Sequence, residues 1–118
     1  MSVQQRIDIT ADLNDNSIAQ LDIGGWDYAV IQLVSPTGTF TFNTTNDAAD
    51  VTGVSDGSAI SATNWIATQG TNLNSGSGAT TLASSGLMRF EKVAQFLQII
   101  GTGAATVTKA IVRFYKIC

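Results

Sequence analysis

The sequence predicts an all-β fold, an antiparallel β-sandwich of about eight strands with jelly-roll or immunoglobulin-like connections. Three observations predict it. Short runs of β-branched and aromatic residues recur between clusters of Gly, Asn, Asp and Ser; helical periodicity is almost absent; and in "GTFTFNT" and "GLMRFEK" apolar and polar residues alternate with period two. A chain of 118 residues is enough for one core, so 1–118 is expected to be a single domain, with 1–12 as an N-terminal arm or edge strand.

The first strand is expected near Arg6 to Thr10, where Ile7 and Ile9 alternate with Asp8 and Thr10, and the second near Ser17 to Asp22, after a turn at "DLNDN". Tyr28 to Val34 is apolar at both parities and reads as a central strand covered on each side. "SPTG" carries the only proline at the second position of a four-residue turn, which predicts a hairpin from that strand into Gly38 to Thr44. There Phe40 and Phe42 point to the core, and Thr39, Thr41 and Asn43 point away. Asn46 to Ser61 is too polar and too glycine-containing for a core strand.

A strand around Asn64 to Gln69 precedes "GTNLNSGSGATT", Gly70 to Thr81, whose glycines and amides predict an exposed, mobile loop. In "GLMRFEK" Met88 and Phe90 share one face, opposite Arg89 and Glu91. "FLQIIG" reads as a buried strand, "GTGAA" as a tight turn and "TVTKAIVRFYKI" as a long closing strand. In the closing strand Ala110, Val112 and Phe114 hold one parity; Val107, Ile111, Tyr115 and Ile117 hold the other, beside Lys109 and Arg113. An edge strand apolar on both faces invites aggregation, so this one is expected to be central or covered by a neighbouring subunit.

Only 13% of the residues are charged, while Thr, Ser, Asn and Gly number 43 of 118. The polar surface is therefore built from uncharged groups that are cheap to desolvate, which favours packing against other proteins. Net charge is −3, but the chain through Ala59 holds eight aspartates and one arginine, and the rest holds five basic residues and one glutamate. Adjacent strands are expected to neutralise the two halves; the alternative is that each meets the complementary end of a neighbouring subunit. Six scattered cations in an acidic chain make nucleic acid an unexpected partner. No apolar run approaches the roughly 20 residues of a spanning helix, and "MSVQQRIDIT" lacks a signal-peptide core, so neither a membrane nor an export signal of its own is expected. Cys118 is the sole cysteine and reads as an inert thiol, with an intermolecular disulfide as the alternative.

Histidine is absent, which removes the usual general base and the commonest metal ligand and rules out Ser/His and Cys/His nucleophilic arrangements. The aspartates lie mostly in turn clusters, so the chain is not expected to be an enzyme and no cofactor is expected. "DLNDN" and "NDAAD" place Asp12, Asn14 and Asp15, or Asp47 and Asp50, where they could bind calcium, but neither run has the spacing of an EF-hand and turn formation is preferred. Trp26 and Trp65 are read as plugs at the ends of the core, with sugar stacking as the alternative. Under that alternative Trp65, Asn72 and Asn74 would bind a cell-surface glycan. Partner contact is assigned to the N-terminal segment and closing strand, through Val3, Arg6, Ile7, Ile111, Arg113 and Tyr115.

The segments "GGWDYAVIQL", "SDGSAISATNW" and "LMRFEKVAQFLQIIGTGAATVTKAIVRFY" resemble, in that order, the small β-sandwich virion proteins of tailed bacteriophages. The resemblance rests on a strand with early aromatics (Trp26, Tyr28), a DG turn leading to a tryptophan (Asp56, Gly57, Trp65), then a basic or aromatic strand, a GT turn and a last amphipathic strand. It implies a capsid decoration or cement protein that binds the major capsid protein, or alternatively a head-fibre or tail accessory module. It also implies a symmetric homo-oligomer, with a trimer as first expectation. The location implied is the virion surface, after synthesis in the host cytoplasm.

Overall fold

Two antiparallel sheets pack face to face around the apolar parities. The structure is a computed structural model that describes residues 2–23, 25–46, 64–91, 96–102 and 105–117. In chain order the elements are β1 (Ser2–Asp8), α1 (Thr10–Asn16), β2 (Ile18–Asp22), β3 (Tyr28–Val34), β4 (Phe40–Thr45), β5 (Ile66–Ala67), β6 (Gly70–Asn72), β7 (Gly78–Ala79), β8 (Thr81–Leu82), β9 (Gly86–Phe90), β10 (Phe96–Gly101) and β11 (Lys109–Ile117). One sheet has the order β1-β11-β3-β9-β6-β7; the other has β2-β10-β4-β5, with β8 also pairing β4. The chain is thus an all-β sandwich.

The period-two readings carry through to the core. Phe40 and Phe42 from β4, Met88 and Phe90 from β9, and Ala110, Val112 and Phe114 from β11 are buried. Phe42 and Phe90 meet between the two sheets with ring centroids 4.9 Å apart. Strand β11 lies between β1 and β3, so it is an interior strand of its sheet. That position resolves the hazard of its two apolar parities.

Five expectations are corrected. The first strand ends at Asp8, and "DLNDN" is part of helix α1 and not a turn. Ile9 and Leu13, four residues apart, are both fully buried, and Leu13 N–H donates to Ile9 O at 3.1 Å. One apolar pair in a helix of seven residues is too short a pattern to register as periodicity. The helix closes at Ser17, in the left-handed conformation, whose N–H donates to Leu13 O.

"SPTG" does not form a hairpin, because β3 and β4 lie in different sheets. Ser35 and Gly38 both have positive φ, which turns the chain out of one sheet into the other, while Thr37 bridges to Thr106. Strand β3 is buried on one face only: Ala29, Ile31 and Leu33 are covered, whereas Gln32 is exposed and Tyr28, Val30 and Val34 are half-buried. The segment Gly70 to Thr81 is ordered: it supplies β6, β7 and the start of β8, which account for the strands beyond the predicted eight. Its turn is held by Asn72 N–H to Ser77 O and Gly76 N–H to Asn72 O. Gly103 and Ala104 of the "GTGAA" turn and the polar segment following Asn46 lie outside the described residues, as do Asp47, Asp50, Asp56, Gly57 and Cys118. Among the described residues no helix is long and apolar enough to cross a membrane.

Asn14 fastens α1 to the sandwich. Its carboxamide donates to Val107 O at 3.0 Å and accepts from Val107 N–H at 2.8 Å, reproducing a strand-like pairing. Asn14→Ala strands both backbone groups of a buried residue, and the expected loss is about 1–2 kcal/mol in urea unfolding. The same pairing occupies one of the two lone pairs of the Asn14 oxygen. Among the described residues no three carboxylate or thiol side chains converge as metal ligands would.

Candidate docking face

The outer face of the six-stranded sheet is where chemistry-bearing side chains gather. Antiparallel register puts β1, β11, β3 and β9 side by side, and the parity opposite the core points outward from each. The register aligns Arg6 with Arg113, Arg113 with Val30, and Val30 with Arg89, making one cross-strand row. In the next row towards the other end of the strands, Asp8 faces Ile111, Ile111 faces Gln32 and Gln32 faces Leu87. On the opposite flank Gln4 faces Tyr115 and Tyr115 faces Tyr28.

Val30, Gln32, Leu87, Ile111, Arg113 and Tyr115 line a shallow, open hollow of about 100 Å³. Beside it the Tyr28 and Tyr115 rings stack at 4.7 Å, and the Arg89 guanidinium lies 4.5 Å above the Tyr28 ring. Arg89 is held from its other side by Glu91, with Nε 2.9 Å from Oε1. A stacked pair and a cation over an aromatic face are each worth roughly 0.5–1 kcal/mol at an exposed site, enough to set side-chain positions and little more. Arg113 donates to the neutral Gln4 Oε1 at 2.9 Å. Among the described residues neither Arg113 nor Arg6 has a carboxylate within ion-pair distance.

Asp8 is the face's other acid. The Thr10 hydroxyl, then the Thr10 backbone N–H at 2.9 Å, hold its carboxyl below the ordinary value of 3.8, with smaller help from Lys109 and Arg6. A depressed acid stabilises the fold above its unfolded value and loses that contribution as pH falls through the folded one. The stability gap between the wild type and Asp8→Asn is therefore expected to be constant near neutrality and to close below pH 3.8. Acid-titrated thermal unfolding of the two proteins checks this.

Of the residues assigned to partner contact, Arg6, Ile111, Arg113 and Tyr115 share this face. Ile7 does not: it packs against the core from β1, because its parity is opposite to Arg6. Val3 pairs with Lys116 in the β1–β11 register. Tyr28, Val30, Leu87 and Arg89 belong to the same face and were not singled out from sequence. The outward position of Arg89 in "GLMRFEK" was visible, but its neighbours depend on register.

The glycan candidates are dispersed. Trp65 precedes β5 on the five-stranded sheet, whereas Asn72 and Asn74 lie on the β6–β7 hairpin of the other. Asn72 Oδ1 is taken by the Asn74 N–H at 2.9 Å. Trp26 stacks on Phe114 at 5.7 Å and packs against the core as a plug, whereas Trp65 is half-buried beside the exposed Ile66. The two charge halves meet incompletely: β1 and β11 bring Asp8 towards Lys109, yet they set Arg6 opposite Arg113.

Fold and face together define a two-sheet antiparallel sandwich that presents one mixed cationic and aromatic sheet surface. The fold is similar to that of an SPBc2 prophage-derived protein, YomS, whose crystal structure aligns with a TM-score of 0.56 at 11% identity, covering 98% of this chain and 93% of that one. No protein-family model matches the sequence, and no curated protein matches it.

Proposed function

We propose that this chain is a structural virion protein of a bacteriophage, a capsid decoration or cement protein that seats the outer face of its six-stranded sheet on the major capsid protein shell. The observation that carries the reading is that face: apolar side chains, a tyrosine stack and, among the described residues, two guanidiniums with no carboxylate within ion-pair distance, set together on the outside of the sandwich. The similarity of fold to a prophage-derived protein and the residue-level resemblance to phage sandwich proteins support the same direction. Such a protein works without catalysis, by burying surface at joints and raising the free energy needed to separate shell subunits.

The size of the face bears on assembly. Three inter-strand steps of about 4.8 Å and seven residues at about 3.3 Å give roughly 14 by 23 Å, or about 300 Å² in projection. Even doubled for surface relief this is below the roughly 800 Å² per partner of a standard interface. One copy binds weakly, and a closed homotrimer on a three-fold position supplies the avidity. The test is to purify intact particles and count this chain against the shell protein. A fixed ratio set by the shell lattice supports the proposal; presence in infected-cell lysate with absence from particles defeats it.

A further inference from the structure

We infer that the row Arg6, Arg113, Val30, Arg89 is a receptor for an extended segment of a partner protein with the pattern acidic–x–apolar–x–acidic, lying across the strands. The identity of that partner as a shell protein rests on the virion reading; its chemistry does not.

The charge distribution is the first reason. The chain carries a net charge of −3, yet among the described residues its outer sheet face holds Arg6, Arg89, Lys109 and Arg113 against Asp8 and Glu91. Like charges directly opposite each other on neighbouring strands are unfavourable, and Arg6 and Arg113 are paired in register with only a neutral glutamine bonded between β1 and β11. Two guanidiniums set against each other, with no carboxylate within ion-pair distance among the described residues, are available to a carboxylate from outside. Guanidinium is the group best matched to a carboxylate in such a contact, because its planar fork donates to both oxygens.

Spacing is the second reason. From β1 to β9 the row crosses three inter-strand steps of about 4.8 Å, so Arg6 and Arg89 stand about 14 Å apart. Five residues of extended chain span about 13–14 Å between the first and last Cα. Alternate side chains point to the same side, so the first, third and fifth residues face the sheet. An acid at the first meets Arg6 and Arg113, an apolar group at the third sits over Val30 in the hollow, and an acid at the fifth reaches Arg89. Tyr28 and Tyr115 wall one side of this track, and Leu87 and Ile111 line the other.

The experiment uses the full chain, isotopically labelled, and a capped synthetic peptide containing Glu-Ser-Val-Ser-Glu. The controls are the same peptide with lysine for glutamate and a single-stranded DNA oligomer as a phosphate polyanion. Expected are shift changes confined to the Arg6, Arg89 and Arg113 side chains and the Tyr28 and Tyr115 rings, with no binding of the lysine peptide. Binding should weaken about tenfold or more in Arg113→Glu, and about tenfold in Arg6→Gln, each variant unfolding at or above the wild-type urea midpoint because the like-charge pair is relieved. It should also weaken in about 0.5 M salt. Shifts elsewhere, equal binding of the lysine peptide, or tighter binding of the DNA through the same arginines would overturn the inference. A chain that ignores the peptide yet occupies particles at a lattice ratio defeats this inference alone; one that binds the peptide yet is absent from particles defeats the virion reading alone.

Discussion

Phe42→Ala lowers the unfolding free energy by about 3–5 kcal/mol, the range for emptying a large aromatic site in a packed core. Phe42 is fully buried in β4 and meets Phe90 of β9 across the gap between the sheets, with centroids 4.9 Å apart and planes tilted by 53°. Its backbone is fixed as well, since its N–H donates to Thr80 O and its carbonyl accepts from Thr68 N–H. The surrounding strands therefore cannot collapse into the space left behind, which places the loss at the upper part of that range. A domain of this size loses roughly 4 °C per kcal/mol, so the melting temperature falls by roughly 12–20 °C. Phe90→Ala should cost a similar amount. The double variant should lose about 0.5–1.5 kcal/mol less than the sum, because the ring–ring contact is counted twice in the single variants. Urea unfolding of all four proteins measures this, and strict additivity would mean the rings do not join the sheets.

Gly101→Val is expected to destabilise by about 3 kcal/mol, at the top of the usual overpacking range. A Cβ at Gly101 falls 2.7 Å from the Ala105 Cβ and 2.9 Å from the Phe40 ring. Neither neighbour has room to retreat, because Phe40 and Ala105 are both buried in the core. Gly101 pairs with Phe40 in the β10–β4 register, and its N–H donates to Ser17 O, so shifting the backbone breaks two contacts of the five-stranded sheet. Gly76→Ala is the internal control. Gly76 has φ +75° and nothing within 4 Å of its Cβ position, so only the left-handed conformation is penalised, at about 1–2 kcal/mol. A smaller effect at Gly101 than at Gly76 would refute the packing account.

The readable parts of this fold are the ones written into neighbouring residues. The inward set Phe40, Phe42, Met88 and Phe90 follows from alternation alone, because successive side chains of any strand leave by opposite faces. Helix α1 was hidden because its pattern is a single pair, Ile9 and Leu13, and its polar residues look like a turn until Asn14 finds Val107. The order in Gly70 to Thr81 was hidden for a related reason. Glycine and asparagine mark chain reversal, and a tight hairpin contains as many of them as a loose loop does.

The candidate docking face was legible by halves. Ile111, Arg113 and Tyr115 stood out because β11 is apolar at both parities, and Arg6 because it lies in the first strand. Ile7 lies on the other side of β1, against the core, since one step along a strand reverses the side. Tyr28, Val30, Leu87 and Arg89 could join them only after the strands had been placed in order.

What the sequence determined by itself is therefore the all-β class, the inner faces of β4 and β9 and the absence of histidine chemistry, all of which are local or compositional. Tertiary structure alone decided that Gln4 would bond Arg113 across 109 residues of chain, that Arg6 would stand opposite Arg113, and that three arginines would fall in one row. Strand pairing is a choice among distant segments with nearly equal local propensity, settled by how well the two sheets close over a shared core. A surface built from that choice has no counterpart in any contiguous stretch of residues.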